Sequence, residues 1–313
     1  MTRSLALLAV LSLSPLAGWP QSVDELQRTI KERDAEIQRL QRRIEKLEGD
    51  ASRPRDADDD EMNRALERAL VQQGGMLLPP GAYELEPQAS YAHWNKSRST
   101  LRHETDVALS LRAGLPWDSQ VGLRIPYVHV STSAGSETAL GDVDLSLSRQ
   151  FKREGSSLPS LVGSLSWHAR TGKDALDGGV PTGGGFDVVQ VGLTALKRHD
   201  PLVYYGGLSY SSPLSRDIGG INVDPGDALG VRLGGILAAR PDTSVNLGLN
   251  LAFVRAARLD GQRVAESDTV LGTLQVGFGT ILTRRAMLNL SADLRVTGEV
   301  PNFRVNAALP IRF

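Results

Sequence analysis

Beyond Gly81 the sequence repeats one pattern, short stretches in which apolar and polar residues alternate. In 101–113, Leu101, Thr105, Val107, Leu109, Leu111 and Ala113 alternate with Arg102, Glu104, Asp106, Ser110 and Arg112. A period of two belongs to a β-strand with apolar surroundings on one side and water or polar partners on the other. The same test along the chain predicts twelve strands, near 82–94, 99–113, 120–132, 142–153, 159–170, 187–198, 202–212, 228–239, 244–257, 269–282, 286–297 and 302–313. The last, NFRVNAALPIRF, keeps Phe303, Val305, Ala307, Leu309, Ile311 and Phe313 on one face and Arg304, Asn306 and Arg312 on the other.

The links between these strands are unequal. Those between strands two and three, four and five, six and seven, eight and nine, and ten and eleven are short, whereas 171–186 and 213–227 are long and rich in glycine or turn residues. Short turns on one rim and long loops on the other match the two ends of an outer-membrane barrel, and an even count puts both barrel termini on the short-turn side. Trp117, Tyr127, Phe151, Trp167, Phe253 and Phe313 stand near strand ends, as aromatic girdles require. No uninterrupted apolar run of about 18 residues exists to make a spanning helix. A soluble sandwich would also alternate, but it needs neither the rim asymmetry nor a terminal Phe. A C-terminal strand ending in Phe313 resembles the assembly signal of bacterial outer-membrane barrels, which implies the barrel assembly machinery as a partner. The expected fold is an all-β transmembrane, twelve-stranded antiparallel outer-membrane β-barrel over 76–313, with outer-membrane lipid around it.

Ahead of the barrel the pattern changes. Arg3 precedes the apolar run Leu5–Leu13, Pro15 and small residues, which reads as a signal peptide over 1–21. Heptads follow over 22–48: Val23, Ile30, Ile37 and Ile44 take position a and Leu26, Arg33, Leu40 and Leu47 position d. Such a stripe is buried only against copies of itself or a partner helix. Ile at a with Leu at d favours a parallel dimer, while Arg43-Ile44-Glu45-Lys46-Leu47-Glu48 resembles the pattern of three-stranded coils, and a homotrimer is the expected state. Residues 49–60, GDASRPRDADDD, read as a flexible linker. Over 61–75 an amphipathic helix capped by Asp60 carries Met62, Leu66, Ala69 and Leu70 on one stripe. Tethered between coil and barrel, this stripe needs a surface to rest on, and the barrel mouth or lumen is the nearest.

On the predicted inward face stand Arg102, Glu104, Asp106, Arg112, Arg124, Asp142, Asp144, Lys152, Arg232, Asp293, Arg295 and Arg304, with both signs interspersed. Part of this set cross-links the wall and part faces a hydrated conduit. Twelve strands lie between side-chain-filled eight-stranded barrels and open porins, so the bore suits small solutes or an extended chain and not a folded protein. No catalytic constellation, cofactor motif or metal-ligand spacing is evident: the five histidines fit no His-Glu-x-x-His pattern, and Gly172-Lys173 lacks the upstream glycine of a phosphate loop. With no cysteine there is no disulfide, no cysteine-ligated metal and no lipoprotein anchor, and a formal net charge of -1 points away from nucleic acid.

The layout as a whole resembles the outer-membrane exporters of functional amyloid, the FapF-like secretion channels of pseudomonads and relatives. The resemblance rests on the leader, the coil, the acidic linker, the segment EMNRALERALVQQGGMLLPPGAYELEPQASYAHW and the twelve strands. It implies a non-enzymatic trimeric pore in biofilm-forming bacteria, a periplasmic coiled coil over Val23–Leu47, a helix over Glu61–Gln73 plugging the lumen, and unfolded amyloid subunits as cargo. The barrel is also similar to the wider group of barrels associated with aromatic-compound degradation, which implies the alternative of a porin-like transporter for small solutes.

Overall fold

The computed structural model describes residues 38–39, 76–95, 101–174, 179–240 and 242–313. Of the compact unit Met1–Asp56 the described residues are Gln38 and Arg39, which are helical. The leader, the rest of the heptad stripe (Val23, Leu26, Ile30, Ile37, Leu40, Arg43, Ile44, Leu47 and Glu48), the linker and the stripe Met62, Leu66, Ala69 and Leu70 lie outside the described residues.

Within the unit Ala57–Phe313 the chain forms twelve antiparallel strands. They are β1 (Tyr83–Asn95), β2 (Leu101–Leu115), β3 (Ser119–Thr132), β4 (Gly135–Leu140 and Val143–Lys152), β5 (Ser160–Ala169), β6 (Val188–His199), β7 (Leu202–Pro213), β8 (Ala228–Arg240), β9 (Thr243–Val254), β10 (Thr269–Ile281), β11 (Met287–Thr297) and β12 (Phe303–Ala308 and Ile311–Arg312). Each pairs with its sequence neighbour, and β12 returns to β1, matching Gln88 with Ala308 and Glu84 with Arg312. Closure leaves no open edge, so every strand finds main-chain partners on both sides. Eleven of the predicted strands coincide with the observed ones to within a few residues, whereas the fourth, read as 142–153, begins earlier with the piece Gly135–Leu140.

Two irregularities have local causes. Pro87 has no N–H to give to the Leu309 carbonyl, so that rung of the β1–β12 ladder keeps the Leu309 N–H to Pro87 carbonyl bond at 3.0 Å without its return, while the register on either side of it is unchanged. In β4 a bulge at Phe151 shifts the pairing from Gln150–Val162 to Lys152–Leu161. Phe151 faces outward over Gly163 in step with Leu145 and Leu147, and the extra residue pairs Lys152 with Leu161 and takes it off the inward face. The uninterrupted alternation read from the sequence, which put Lys152 inside, fails at this point.

The outer face is apolar and exposed: Val107, Leu109, Leu111, Leu147, Leu165, Val191, Leu208, Leu233, Leu247, Leu290 and Val305 all stand on it. So continuous an apolar surface is not compatible with water. Tyr83, Trp117, Phe151, Tyr204 and Phe313 ring the short-turn end, and Tyr127, Trp167, Tyr210 and Phe253 ring the other. The ten residue steps from Phe303 to Phe313 cover roughly 33 Å of strand. At a tilt of about 40° this is roughly 25 Å of barrel height, the thickness of an outer-membrane apolar band.

Candidate functional site: the lumen and its two mouths

Alternation and register decide which side chains line the lumen. On the β1–β4 and β11–β12 wall the inward positions hold a ladder of charges. Arg112 lies between Glu84, at 2.7 Å, and Glu86, both almost fully buried, and Arg312 reaches Glu84 at 3.3 Å from across the closing seam. One level up Arg124 bridges Asp106 and Asp144, and Asp144 also bonds His168 Nδ1. Higher still Glu104 takes Arg102 at 2.9 Å and Arg304 at 3.4 Å, with the Arg102 guanidinium 5.2 Å from the Trp94 ring. Asp293 accepts from Gln275 and Asn306, each at 3.0 Å, and Arg295 stands opposite Thr273. Charges paired and hydrogen-bonded like this tie neighbouring strands together, and removing one partner strands the other.

The facing β5–β10 wall is built from glycine, hydroxyl and amide residues. Gly192 leaves room for Ser164 Oγ, Gly230 for Ser209 Oγ, and Gly207 for the Arg232 side chain. Arg232 donates to Thr194 Oγ1 at 2.9 Å and lies 5.9 Å from the Tyr205 ring. Two cavities occupy the interior. One, of about 400 Å³, is bounded by Glu86, Asp106, Arg124, Asn289 and Arg304; the other, of about 440 Å³ and nearer the long loops, by Gln190, Thr194, Ser211, Arg232 and Asn250.

At the short-turn mouth the inward face turns apolar. Leu196, Val203, Tyr205, Ile236 and Ala238 form a buried cluster there, with Ile236 and Val203 at 0% exposure, and Met76 packs against it. Two residues on, Leu78 is 2% exposed and donates its N–H to Gln120 Oε1 at 2.9 Å. Gly114 is obligatory beside it, because a Cβ there would run into the carbonyl oxygens of Pro79 and Leu78. The chain leading into β1 thus crosses the mouth from the β6–β8 wall to the β2–β3 wall.

At the long-loop mouth, residues 170–174 and 179–187 lie against the barrel, and Val180 is buried against the inward-facing Val128 and Val130. Asp142, expected among the lumen-lining residues, instead sits in the break between the two pieces of β4. There its carboxylate accepts from Gly172 N–H at 2.9 Å and Gly184 N–H at 2.6 Å. Thr182 donates to the Leu140 carbonyl at 3.0 Å, and Asp174 holds Arg216 of the next long loop. Beyond the Tyr127 girdle, Lys173 hydrogen-bonds Glu137 at 2.8 Å and holds its carboxyl below the usual range. Two further loops join in a four-stranded sheet of Arg216–Ile218, Ile221–Asp224, Arg258–Leu259 and Gln262–Arg263.

Phe313 closes the seam: its N–H donates to the Tyr83 carbonyl at 2.8 Å, and its side chain is 63% exposed. The sequence reading missed Glu84 and Glu86, although they alternate with Tyr83, Leu85 and Pro87, and it missed the apolar cluster under Met76, whose residues are scattered over three strands. Among the described residues no group of three or more His, Cys, Asp or Glu is placed to hold a metal.

No protein-family model matches the chain. Its fold is similar to that of an outer membrane channel from Pseudomonas putida F1, with a TM-score of 0.68 at 17% identity over 76% of this chain and 98% of that one. It is also similar to the translocator domain of the autotransporter NalP from Neisseria meningitidis, with a TM-score of 0.51 at 11% identity over 81% of this chain and 96% of that one. Together with the closed register, these likenesses make the fold that of a twelve-stranded outer-membrane β-barrel.

Proposed function

We propose that this chain is an outer-membrane channel that exports unfolded amyloid subunits, closed at its periplasmic mouth by the helix ahead of β1 and held there by a trimeric coiled coil. The observation that carries the plug is the seat of Met76 and Leu78. A hydrated mouth needs polar walls, yet Leu196, Val203, Tyr205, Ile236 and Ala238 offer an apolar inward surface that the lead-in chain occupies. The stripe Met62, Leu66, Ala69 and Leu70 is the same chain's next apolar surface upstream. The exposed apolar belt between two aromatic rims supports an outer-membrane location, and the N-terminal lead-in at the short-turn rim supports a periplasmic coil. Cavities of about 400 and 440 Å³ admit an extended chain and not a folded domain.

A second reading, a porin-like channel for small solutes, is favoured by the same two cavities, whose size falls within the small-molecule range. The similar Pseudomonas putida protein is itself described as an outer membrane channel. Single-channel recordings separate the two. Export predicts transient blockades when an unfolded, repeat-rich polypeptide is added on the coiled-coil side, and slow swelling of proteoliposomes in small neutral sugars. Fast swelling with no polypeptide blockade counts against export and for uptake.

A further inference from the structure

All five histidines lie among the described residues, and the fold sorts them. His168 Nδ1 bonds Asp144 in the lumen, His129 Nδ1 bonds Thr138 Oγ1 at 2.7 Å, and His199 ends β6. His93 of β1 and His103 of β2 meet each other instead. They are direct partners in the β1–β2 register, with their Nδ1 atoms 3.3 Å apart and their ring centres at 4.7 Å. The Tyr91 hydroxyl lies 2.6 Å from His103 Nδ1, and Phe303 of β12 backs the His93 ring at 5.5 Å. Alternation puts this cluster on the outward face, where His103 stands two outward positions beyond Val107, the partner of Tyr127 in the outer girdle. At that level the apolar band gives way to water, and Tyr91, His93 and His103 are half-buried.

We infer that His93 and His103 form a binding site for a divalent metal ion of zinc's kind. Two nitrogens bound to one tetrahedral zinc at about 2.0–2.1 Å stand about 3.3 Å apart. The β1–β2 register already sets that separation. Imidazole nitrogen suits zinc, copper and nickel, whereas magnesium and calcium take oxygen ligands. The other positions on the ion fall to water, with the Tyr91 hydroxyl beside them. The spacing of the two histidines along the chain matches no ligand motif, and only the antiparallel register brings them together. An ion held there joins β1 to β2 at their outer ends, next to the closing strand β12. The site faces away from the lumen, so the inference is independent of what the channel carries.

The test uses the full chain, purified without a histidine tag in a chelator-free detergent buffer, with zinc chloride as probe and magnesium chloride as its counterpart. Calorimetry is expected to show zinc binding at least about tenfold more tightly than magnesium. His93→Gln and His103→Gln are each expected to weaken zinc binding at least about tenfold, whereas His129→Gln keeps it, because that ring is bonded to Thr138. Either of the first two variants carries the test if the other fails to fold. No measurable zinc binding, zinc bound no more tightly than magnesium, or full binding by His93→Gln or His103→Gln overturns the inference. An equal loss in His129→Gln overturns it as well.

Discussion

At Gly141–Asp142 the fourth strand breaks, and the freed Asp142 carboxylate holds two backbone amides of the chain at the outer mouth. Hydrogen bonds to a charged acceptor are worth roughly 1.5–3 kcal/mol each. Asp142→Ala is therefore expected to raise the released population of the chain at Gly172 and Gly184 by at least about tenfold, read as faster trypsin cleavage after Lys173 on intact cells. An unchanged rate would refute the latch. Glu137 makes the contrasting case. Its carboxyl is held low by Lys173, so the pair contributes at neutral pH and is lost as pH falls through that lowered value. The pair is exposed and worth little, so Glu137→Gln is expected to change the same cleavage rate by less than about threefold. Arg112 is the opposite extreme, since Glu84 and Glu86 beside it are buried. Arg112→Ala takes its cation from Glu86 and leaves Glu84 to Arg312, and is expected to cost about 3 kcal/mol, measured by urea unfolding of the detergent-folded barrel. Adding Glu86→Gln should return part of that loss. Arg112, Arg124 and Asp144 were legible as inward residues because alternation alone places them. The role of Asp142 was not, because a break in a strand leaves no mark in a period-two pattern.

Among the elements, the lead-in to β1 is the one whose position bears most on function. Its seat depends on Gly114, with Gly81 N–H donating to the Gly114 carbonyl at 3.0 Å and Gly114 N–H to the Ala82 carbonyl at 2.9 Å. Gly114→Ala forces Leu78 and Pro79 away, at a cost of roughly 1–3 kcal/mol to that seat and none to the pairing of β4–β11. Faster hydrogen exchange at Leu78, with strand amides unchanged, is the expected result; uniform loosening of the barrel would mean the seat and the wall are not separable. The strands themselves were readable because each one meets lipid on one side and polar groups on the other, the condition that produces strict alternation. The bulge at Phe151 was not readable, because the extra residue and the outward aromatic each fit an ordinary strand end. The apolar cluster under Met76 was hidden for a different reason. Leu196, Val203 and Ile236 extend apolar runs at strand ends, and only the fold shows that they face inward and meet.

For the whole molecule, the even strand count and the rim asymmetry made closure legible, and the β1–β12 register realises it. The sorting of charges to one wall and glycines to the other was not legible, since it depends on which strands end up opposite each other across the lumen. The central claim is that the segment ahead of β1 closes this pore. Single-channel conductance of the full chain, measured beside a version lacking residues 22–75, tests it most directly. A markedly larger and steadier current from the shortened barrel is the predicted result, and equal conductance in the two would contradict a plug.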